Sequence, residues 1–310
     1  MTSDISYIPV RIGTLRPDDV INFDIYIQVG GRYLHYIKNS DPFDGERIVR
    51  LKVKGVRKLF IPEEHENFYL QYLDKGLDRL VDKKINVEVK ANLVKDAMVT
   101  DAENAIRNSQ TKEGYEHTEQ RMSKIVGYLT SEKGFAKNVM HAAGVSQDTF
   151  QHSANVATLS LGMASMVGIN SPPHLTVLGL ACLLHDIGYS RLAFNPRVPK
   201  DRLSAEQIKQ YHEHPRSGVA MLSDKSYVTK EVLQLIADHE EIGEGIGFPE
   251  KKRLSTLNIL SQVLNLCNEF DRYSLIKQKS HKEVVKDFFQ DRIGCFPLEH
   301  MQFMSSVFKT

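Results

Sequence analysis

Five of the twelve histidines in this 310-residue chain sit where their neighbours could turn them to chemistry: His152, His185, His212, His214 and His239. The sharpest setting is Ala181-Cys182-Leu183-Leu184-His185-Asp186-Ile187-Gly188, an apolar helix that ends in an imidazole and a carboxylate before a glycine stop. Polar groups at a buried helix end are costly without a partner, and a divalent cation is a suitable one. Imidazoles are neutral ligands for iron, manganese or zinc, and a carboxylate can join two ions through its two oxygens. A capping aspartate beside an incidental histidine would account for the dipeptide if it stood alone.

It has company on both sides. Asp148 and His152 are spaced i, i+4 and share a helix face that Val156, Leu159 and Met163 continue. Downstream come His212-Glu213-His214-Pro215-Arg216-Ser217-Gly218, then Asp238-His239-Glu240-Glu241, then the loop Gly245-Ile246-Gly247-Phe248-Pro249. Asn268-Glu269-Phe270-Asp271 then follows the apolar run from Leu257 to Cys267 with side chains able to coordinate or hydrogen-bond. His212 and His214 are two residues apart and cannot share one helix face, so one of them coordinates, and His214 is the expected ligand. The loop from Gly243 to Pro249 lets backbone approach a ligand closely, although a plain interhelical loop would need glycines too. The other seven histidines, His281 and His300 among them, have no ligand-like neighbourhood and read as surface or packing residues.

The elements that must position these groups are helices. From Tyr115 onward the apolar spacing is helical nearly to the end, with breaks at Gly144, Ser171-Pro172-Pro173, Gly188, Pro196 to Pro199 and Gly243 to Pro249. The first 95 residues differ. Ile21, Phe23, Ile25, Ile27 and Val29 alternate with polar or aromatic residues as a half-buried strand does, Gly30-Gly31 supplies a tight turn, and Tyr33 to Ile37 returns. Arg47 to Ile61 reads as a further β-rich stretch broken at Gly55, and Glu63 to Val81 reads as helical. The expected fold is mainly α: an all-α helical bundle domain over residues 115–310, a polar connector or first helical turns over 96–114, and a small α/β domain over 1–95.

Composition excludes several function classes. The 40 Lys and Arg against 39 Asp and Glu give a net charge of +1, too nearly balanced for a polyanion-binding coat. Lys52, Lys54, Arg57 and Lys58 could form a basic patch for nucleic acid, and the solvated outer face of a strand is the reading that the balanced charge favours. No DNA partner is expected. The longest apolar runs, such as Leu175 to Leu184, reach about half of the ~20 residues a membrane span needs. The first residues carry no basic flank and apolar stretch of a secretory leader, so a cytoplasmic protein is expected. Cys182, Cys267 and Cys295 are an odd set without CxxC spacing and read as buried or inert thiols.

The ordered set of motifs resembles an HD-GYP domain, the branch of the HD superfamily of phosphohydrolases that hydrolyses the bacterial second messenger cyclic di-GMP. His152 matches the family's first core histidine, His185-Asp186-Ile187-Gly188 its HDIG, and His214-Pro215 with Gly218 its H-P-x-x-G. His239-Glu240-Glu241 falls on HHE, Glu244 to Pro249 on DGxGYP, Asn268 on the aspartate that follows, and Asp271 on the second aspartate of that motif. The departures are Tyr189 for the lysine of HDIGK, Glu240 for a histidine, Phe248 for a tyrosine and Asn268 for an aspartate. Lys277 lies near a family arginine, and Ser280 falls where a second arginine stands.

The resemblance implies a metal-dependent signalling phosphodiesterase with two divalent ions, iron first and manganese as the alternative, in which a hydroxide held between the ions attacks phosphorus. It makes Asp186 the bridge, with His152, His185 and Asn268 on one metal and His214, His239 and Glu240 on the other. Asp186 and His185 become the catalytic residues, and Tyr189, Gly245, Gly247, Phe248 and Lys277 the substrate side. Asp148 is either an acid for a third ion or a helix N-terminal carboxylate favoured by the macrodipole. The N-terminal domain would regulate or bind a protein partner. Two alternatives stay open: a catalytically weak relative that binds a cyclic dinucleotide or a partner, and another HD-type nucleotide phosphohydrolase.

Overall fold

The computed structural model describes residues 5–309 apart from 17–18, 42, 57, 133 and 145–148. The chain divides into two compact units, Met1–Thr100 and Asp101–Thr310. In the first, β1 (Tyr7–Arg11), β2 (Ile25–Val29), β3 (Arg32–Ile37) and β4 (Lys58–Pro62) form an antiparallel sheet in the order β1-β4-β2-β3. Gly30 and Gly31 both take positive φ, 56° and 78°, which is what a two-residue turn matched to strand twist requires. Phe23, Ile25, Ile37, Phe43, Leu59 and Ile61 are buried in this unit's core with Tyr69 and Leu73.

The expected β-stretch from Arg47 is corrected. Gly45–Val53 is a helix, α1, capped by Asp44, whose side chain accepts from the Glu46 N–H. Ile48 and Leu51 face the core at i, i+3, while Val49 and Val53 are exposed. The strand resumes only at Lys58, and α2 (Glu66–Asp78) follows it, carrying Tyr69 and Leu73. Lys52 and Lys54 are therefore exposed on and just beyond a helix rather than on a strand, and Arg57 lies outside the described residues.

The helix α3 (Val87–Asn108) begins in the first unit and ends in the second. Among the described residues the named elements of the second unit are helices: α4 (Lys112–Ser131), α5 (Phe135–Ala142), α6 (Thr149–Met166), α7 (Pro172–Leu184), α8 (Ala205–His212), α9 (His214–Leu222), α10 (Lys230–Asp238), α11 (Ile259–Lys277), α12 (His281–Asp291) and α13 (Leu298–Phe308). A turn of tighter helix, Ile187–Arg191, follows α7. The chain is mainly α, with the small sheet confined to its N-terminal unit.

Helices α6 and α7 lie at the middle of this unit because they are apolar or small on nearly every side, and a helix of that kind must be covered all round. Around them pack α4, α5, α10 and α11. His152, His185, Asp186, His214 and His239 are buried where these helices meet, and that polar interruption of the core is the site. No described helix is long and apolar enough to cross a membrane.

Candidate metal centre

Three of the histidines are built the same way. His185, His214 and His239 each stand at a helix terminus, and in each the Nδ1–H donates to the carbonyl three residues earlier: Cys182 at 2.7 Å, Tyr211 at 2.6 Å and Ile236 at 2.7 Å. That bond fixes the tautomer and leaves the Nε2 lone pair free, as a ligating imidazole needs. His152, within α6, uses a carboxylate instead, its Nδ1 donating to Asp271 Oδ2 at 2.7 Å. Asp271 is itself held on its other oxygen by Asn155 Nδ2 and His281 Nε2, each at 2.8 Å.

All four Nε2 atoms converge on Asp186. Its Oδ2 lies 3.4 Å from His185 Nε2 and 3.7 Å from His152 Nε2, and its Oδ1 lies 3.5 Å from His214 Nε2 and 3.6 Å from His239 Nε2. The carboxylate thus offers one oxygen to each histidine pair, giving two groups able to hold an ion, His152–His185–Asp186 and Asp186–His214–His239. Asn268 Oδ1 sits 3.1 Å from His152 Nε2 beside the first group.

Two observations say that a cation fits. His185 Nε2 and Asp186 Oδ1 are buried and make no hydrogen bond, which native interiors rarely tolerate without a metal, ion or water. The Nε2 atoms of His214 and His239 face each other at 2.8 Å while both Nδ1 positions carry the proton, so two lone pairs oppose one another unless a cation lies between. Two imidazoles and a shared carboxylate for each ion would leave coordination positions open, as catalytic rather than structural sites do.

The electrostatics agree with a ligand role. Burial pushes the His185 imidazole down to about 4, against the pull of Asp186, so it is the free base at neutral pH. Burial likewise lowers His214. At His239 burial is outweighed by the Asp186 and Glu240 carboxylates, which raise its pKa and would favour any positive charge at that ring. Asp186 is held well below the ordinary carboxylate range: burial opposes ionisation, but His185, His214 and His239 overcome it.

Glu240 is placed differently from the expectation. Its Oε1 accepts from Arg272 Nη1 at 2.5 Å and from the Tyr211 hydroxyl at 3.1 Å, and it belongs to neither metal group. Arg272 also holds Glu269, which Arg292 holds in turn at 2.8 Å. The physical reason is its neighbour: burial opposes ionisation of Glu240, but the charged Arg272 guanidinium beside it outweighs burial and keeps the carboxylate well below its usual range.

The expected substrate side is divided. A cavity of about 430 Å³ is lined by Lys200, His212, Glu240, Ile242, Ile246, Gly247, Phe248, Lys251, Glu269, Arg272, Arg292 and Cys295. Phe248 stacks on His212 with ring centroids 4.2 Å apart and lies 6.0 Å from the His214 ring, so the cavity abuts the histidine cluster. Tyr189 packs on His214 at 4.4 Å between centroids and does not line this cavity. Lys277 is corrected: it is exposed near the end of α11, over the Tyr273 ring, and the cations at the cavity are Lys200, Lys251, Arg272 and Arg292. Gly245 needs its positive φ of 83°, and a Cβ at Gly247 would meet Glu240 O and Ile242 N at 2.4 Å, so the loop's own folding accounts for both glycines. Asp148 lies outside the described residues.

Three groups escape sequence reasoning. His281 reads as a packing residue and instead anchors Asp271 behind His152. Arg272 follows Asp271 directly in Asn268-Glu269-Phe270-Asp271-Arg272, and that adjacency is the available signal. Arg197, whose Nη2 donates to Asp186 Oδ2 at 2.9 Å, stands in a proline-bounded loop with no periodicity to mark it.

Known proteins resemble this chain in sequence and in fold. A family model described as an HD domain matches residues 110–283. Over 124 residues, 40% of the chain, the sequence is 28% identical to the cyclic di-GMP phosphodiesterase PA4108 of Pseudomonas aeruginosa, and the match takes in 30% of that protein's own length. Among solved structures, Bd1817, an HDG"Y"P protein from Bdellovibrio bacteriovorus, superimposes with a TM-score of 0.81 at 28% identity, over 98% of this chain and 100% of that one.

Proposed function

The chain belongs to the HD domain family, in its HD-GYP branch, and on that premise we propose that it is a metal-dependent phosphodiesterase that linearises cyclic di-GMP. The observation that carries the reading is the single carboxylate of Asp186, one oxygen toward His152 and His185, the other toward His214 and His239. His152 and His185, with Asn268 beside them, would hold one divalent ion, and His214 and His239 the other. The mixed imidazole and carboxylate donors suit iron, manganese or zinc, and the family resemblance points to iron first and manganese second.

When bound, such ions lower the pKa of a water toward ~7 and neutralise charge on phosphoryl oxygens. The protein's own groups prepare for this. Three carbonyls and Asp271 keep each Nδ1 protonated and each Nε2 basic. Burial of the cluster excludes bulk water and strengthens every charge interaction in it. The His212–Phe248 stack presents aromatic surface to a nucleobase, and Lys200, with its Nζ 5.4 Å from the Phe248 ring centroid, brings a positive charge to the same cavity. The name of the Pseudomonas relative supports cyclic di-GMP as the substrate.

A second reading is a catalytically weak protein that binds the cyclic dinucleotide, and the pairing of Glu240 with Arg272 favours it, because that carboxylate is drawn away from the ions. Anaerobic turnover decides between them. Protein loaded with Fe(II) or Mn(II) is expected to release the linear dinucleotide, and His185→Ala is expected to release none. Two bound ions, tight binding of cyclic di-GMP and no product would replace the phosphodiesterase with the receptor.

A further inference from the structure

Arg197 reaches the centre from the loop between the turn Ile187–Arg191 and the next short helical turn at Lys200–Arg202. Its side chain is nine-tenths buried, with 10% of its surface exposed. One terminal nitrogen, Nη2, donates to Asp186 Oδ2 at 2.9 Å, and the other, Nη1, is buried without a hydrogen-bond partner. The guanidinium lies 5.6 Å from the centroid of the Tyr189 ring, which in turn packs on His214. A buried guanidinium donor left unpaired is expensive, and the fork geometry of arginine is suited to oxyanions.

The charge around it points the same way. The two metal groups together contain one carboxylate and four imidazoles, and Asn268 beside them is neutral. Two divalent ions would bring four positive charges against Asp186 and the Asp271 carboxylate behind His152, and Arg197 adds a fifth. Such a centre demands an anion, and the atoms available to receive it are open metal positions and the unpaired Nη1 of Arg197.

We propose that Arg197 is the phosphoryl-binding cation of this centre, its Nη2 on the bridging carboxylate and its Nη1 on a non-bridging oxygen of the phosphate that occupies the ions. The proposal rests on the metal-centre reading above and names a residue that would touch the scissile group. Asp186 then has a second task, to hold the guanidinium in place for the phosphate. Tyr189 gives the guanidinium a flat apolar surface to lie over.

The test is calorimetric titration of inorganic phosphate into Mn(II)-loaded protein, with metal content measured on the same samples. Wild type is expected to bind phosphate, Arg197→Gln to retain both ions while binding phosphate about 10- to 100-fold more weakly, and Arg197→Lys to fall between. Equal phosphate affinity in wild type and R197Q at equal metal content would overturn the proposal. So would R197Q taking up metal more tightly with unchanged phosphate binding, which would make Arg197 a placeholder for the ions. Wild type that holds no ions would remove the metal-centre reading and the proposal together. Arg197-dependent phosphate binding without turnover of cyclic di-GMP would sink only the proposed reaction and support the role of Arg197.

Discussion

Gly188 ties the two halves of the candidate metal centre together. It follows Ile187 in the turn that packs on α9, and a Cβ built on it falls 2.0 Å from the His214 carbonyl oxygen and 2.9 Å from Gly218 N. Both obstacles are backbone, so no side-chain rotation relieves the clash. Restoring an ordinary contact requires His214 and its helix to move by about 1 Å or more relative to Asp186. Metal sites tolerate about 0.2 Å, so Gly188→Ala is expected to lose the ion held by Asp186, His214 and His239 while the pair His152 and His185 keeps its own. Overpacking of this kind costs about 1–3 kcal/mol, here toward the upper end, and a domain of this size loses about 2–4 °C of melting temperature per kcal/mol, so a fall of roughly 5–10 °C is expected. Elemental analysis of loaded, dialysed protein and calorimetric melting measure both. The control is Gly127→Ala on the exposed face of α4, where the added methyl meets nothing within 4 Å and the helix gains about 0.5–1 kcal/mol. A Gly188→Ala protein with two ions per chain and a melting point within about 2 °C of wild type would refute the argument that this contact sets the geometry of the centre.

Two further outcomes follow from the buried charges. Glu240→Gln is expected to keep both ions, because the carboxylate serves Arg272 and Tyr211, and to lower stability by about 2–4 kcal/mol in urea melts by leaving Arg272 partly uncompensated; loss of one ion would return Glu240 to the coordination sphere. Burial holds the His185 imidazole at about 4, below the ordinary ~6.5 of the unfolded chain, so between those values the unfolded state binds more protons. The stabilisation is therefore complete above ~6.5 and lost as pH falls toward 4, by roughly 3 kcal/mol in chelated protein, and His185→Gln should flatten that part of the stability profile; parallel profiles for the two proteins would contradict it.

What the sequence reveals and what it hides divide along a physical line. The helical unit is legible because apolar spacing and Gly or Pro breaks are local, and the hairpin is legible because Gly30-Gly31 has few other uses. Gly45–Val53 misleads as a sequence because Ile48, Val49, Leu51 and Val53 look like the residues of a strand, while the structure buries only Ile48 and Leu51 and leaves both valines to solvent. The stronger signal is the Asp44 cap with Glu46 in the first turn. At the site, His185, His214 and His239 stand out because each lies at a helix end, where an i−3 carbonyl can fix the ring. Glu240 is adjacent to His239 in the chain, but which way its carboxylate turns depends on Arg272, 32 residues on. Arg197 and His281 are hidden for the same reason: each acts through a contact with a distant carboxylate that no spacing encodes.

The distribution of arginines around the centre completes the electrostatic logic. Four acids lie in or beside the cluster, and Asp271 is occupied by His152, Asn155 and His281, which leaves Asp186, Glu240 and Glu269. Arg272 neutralises Glu240 and, with Arg292, Glu269, which leaves Asp186 as the one carboxylate offered to both histidine pairs. A centre with more free carboxylates would hold its ions more tightly and satisfy their charge internally, and it would attract an anion less. With two ions bound, Asp186 between the histidine pairs and Asp271 behind His152 would be outweighed by the ions and by Arg197 against Asp186, leaving a surplus of positive charge where a phosphate would arrive. The departures from the family pattern at Glu240 and Asn268 act in one direction under this argument. Neither would add a free carboxylate to bound ions, and Asn268 would remove one, so the demand of a metal-loaded centre for an oxyanion would rise.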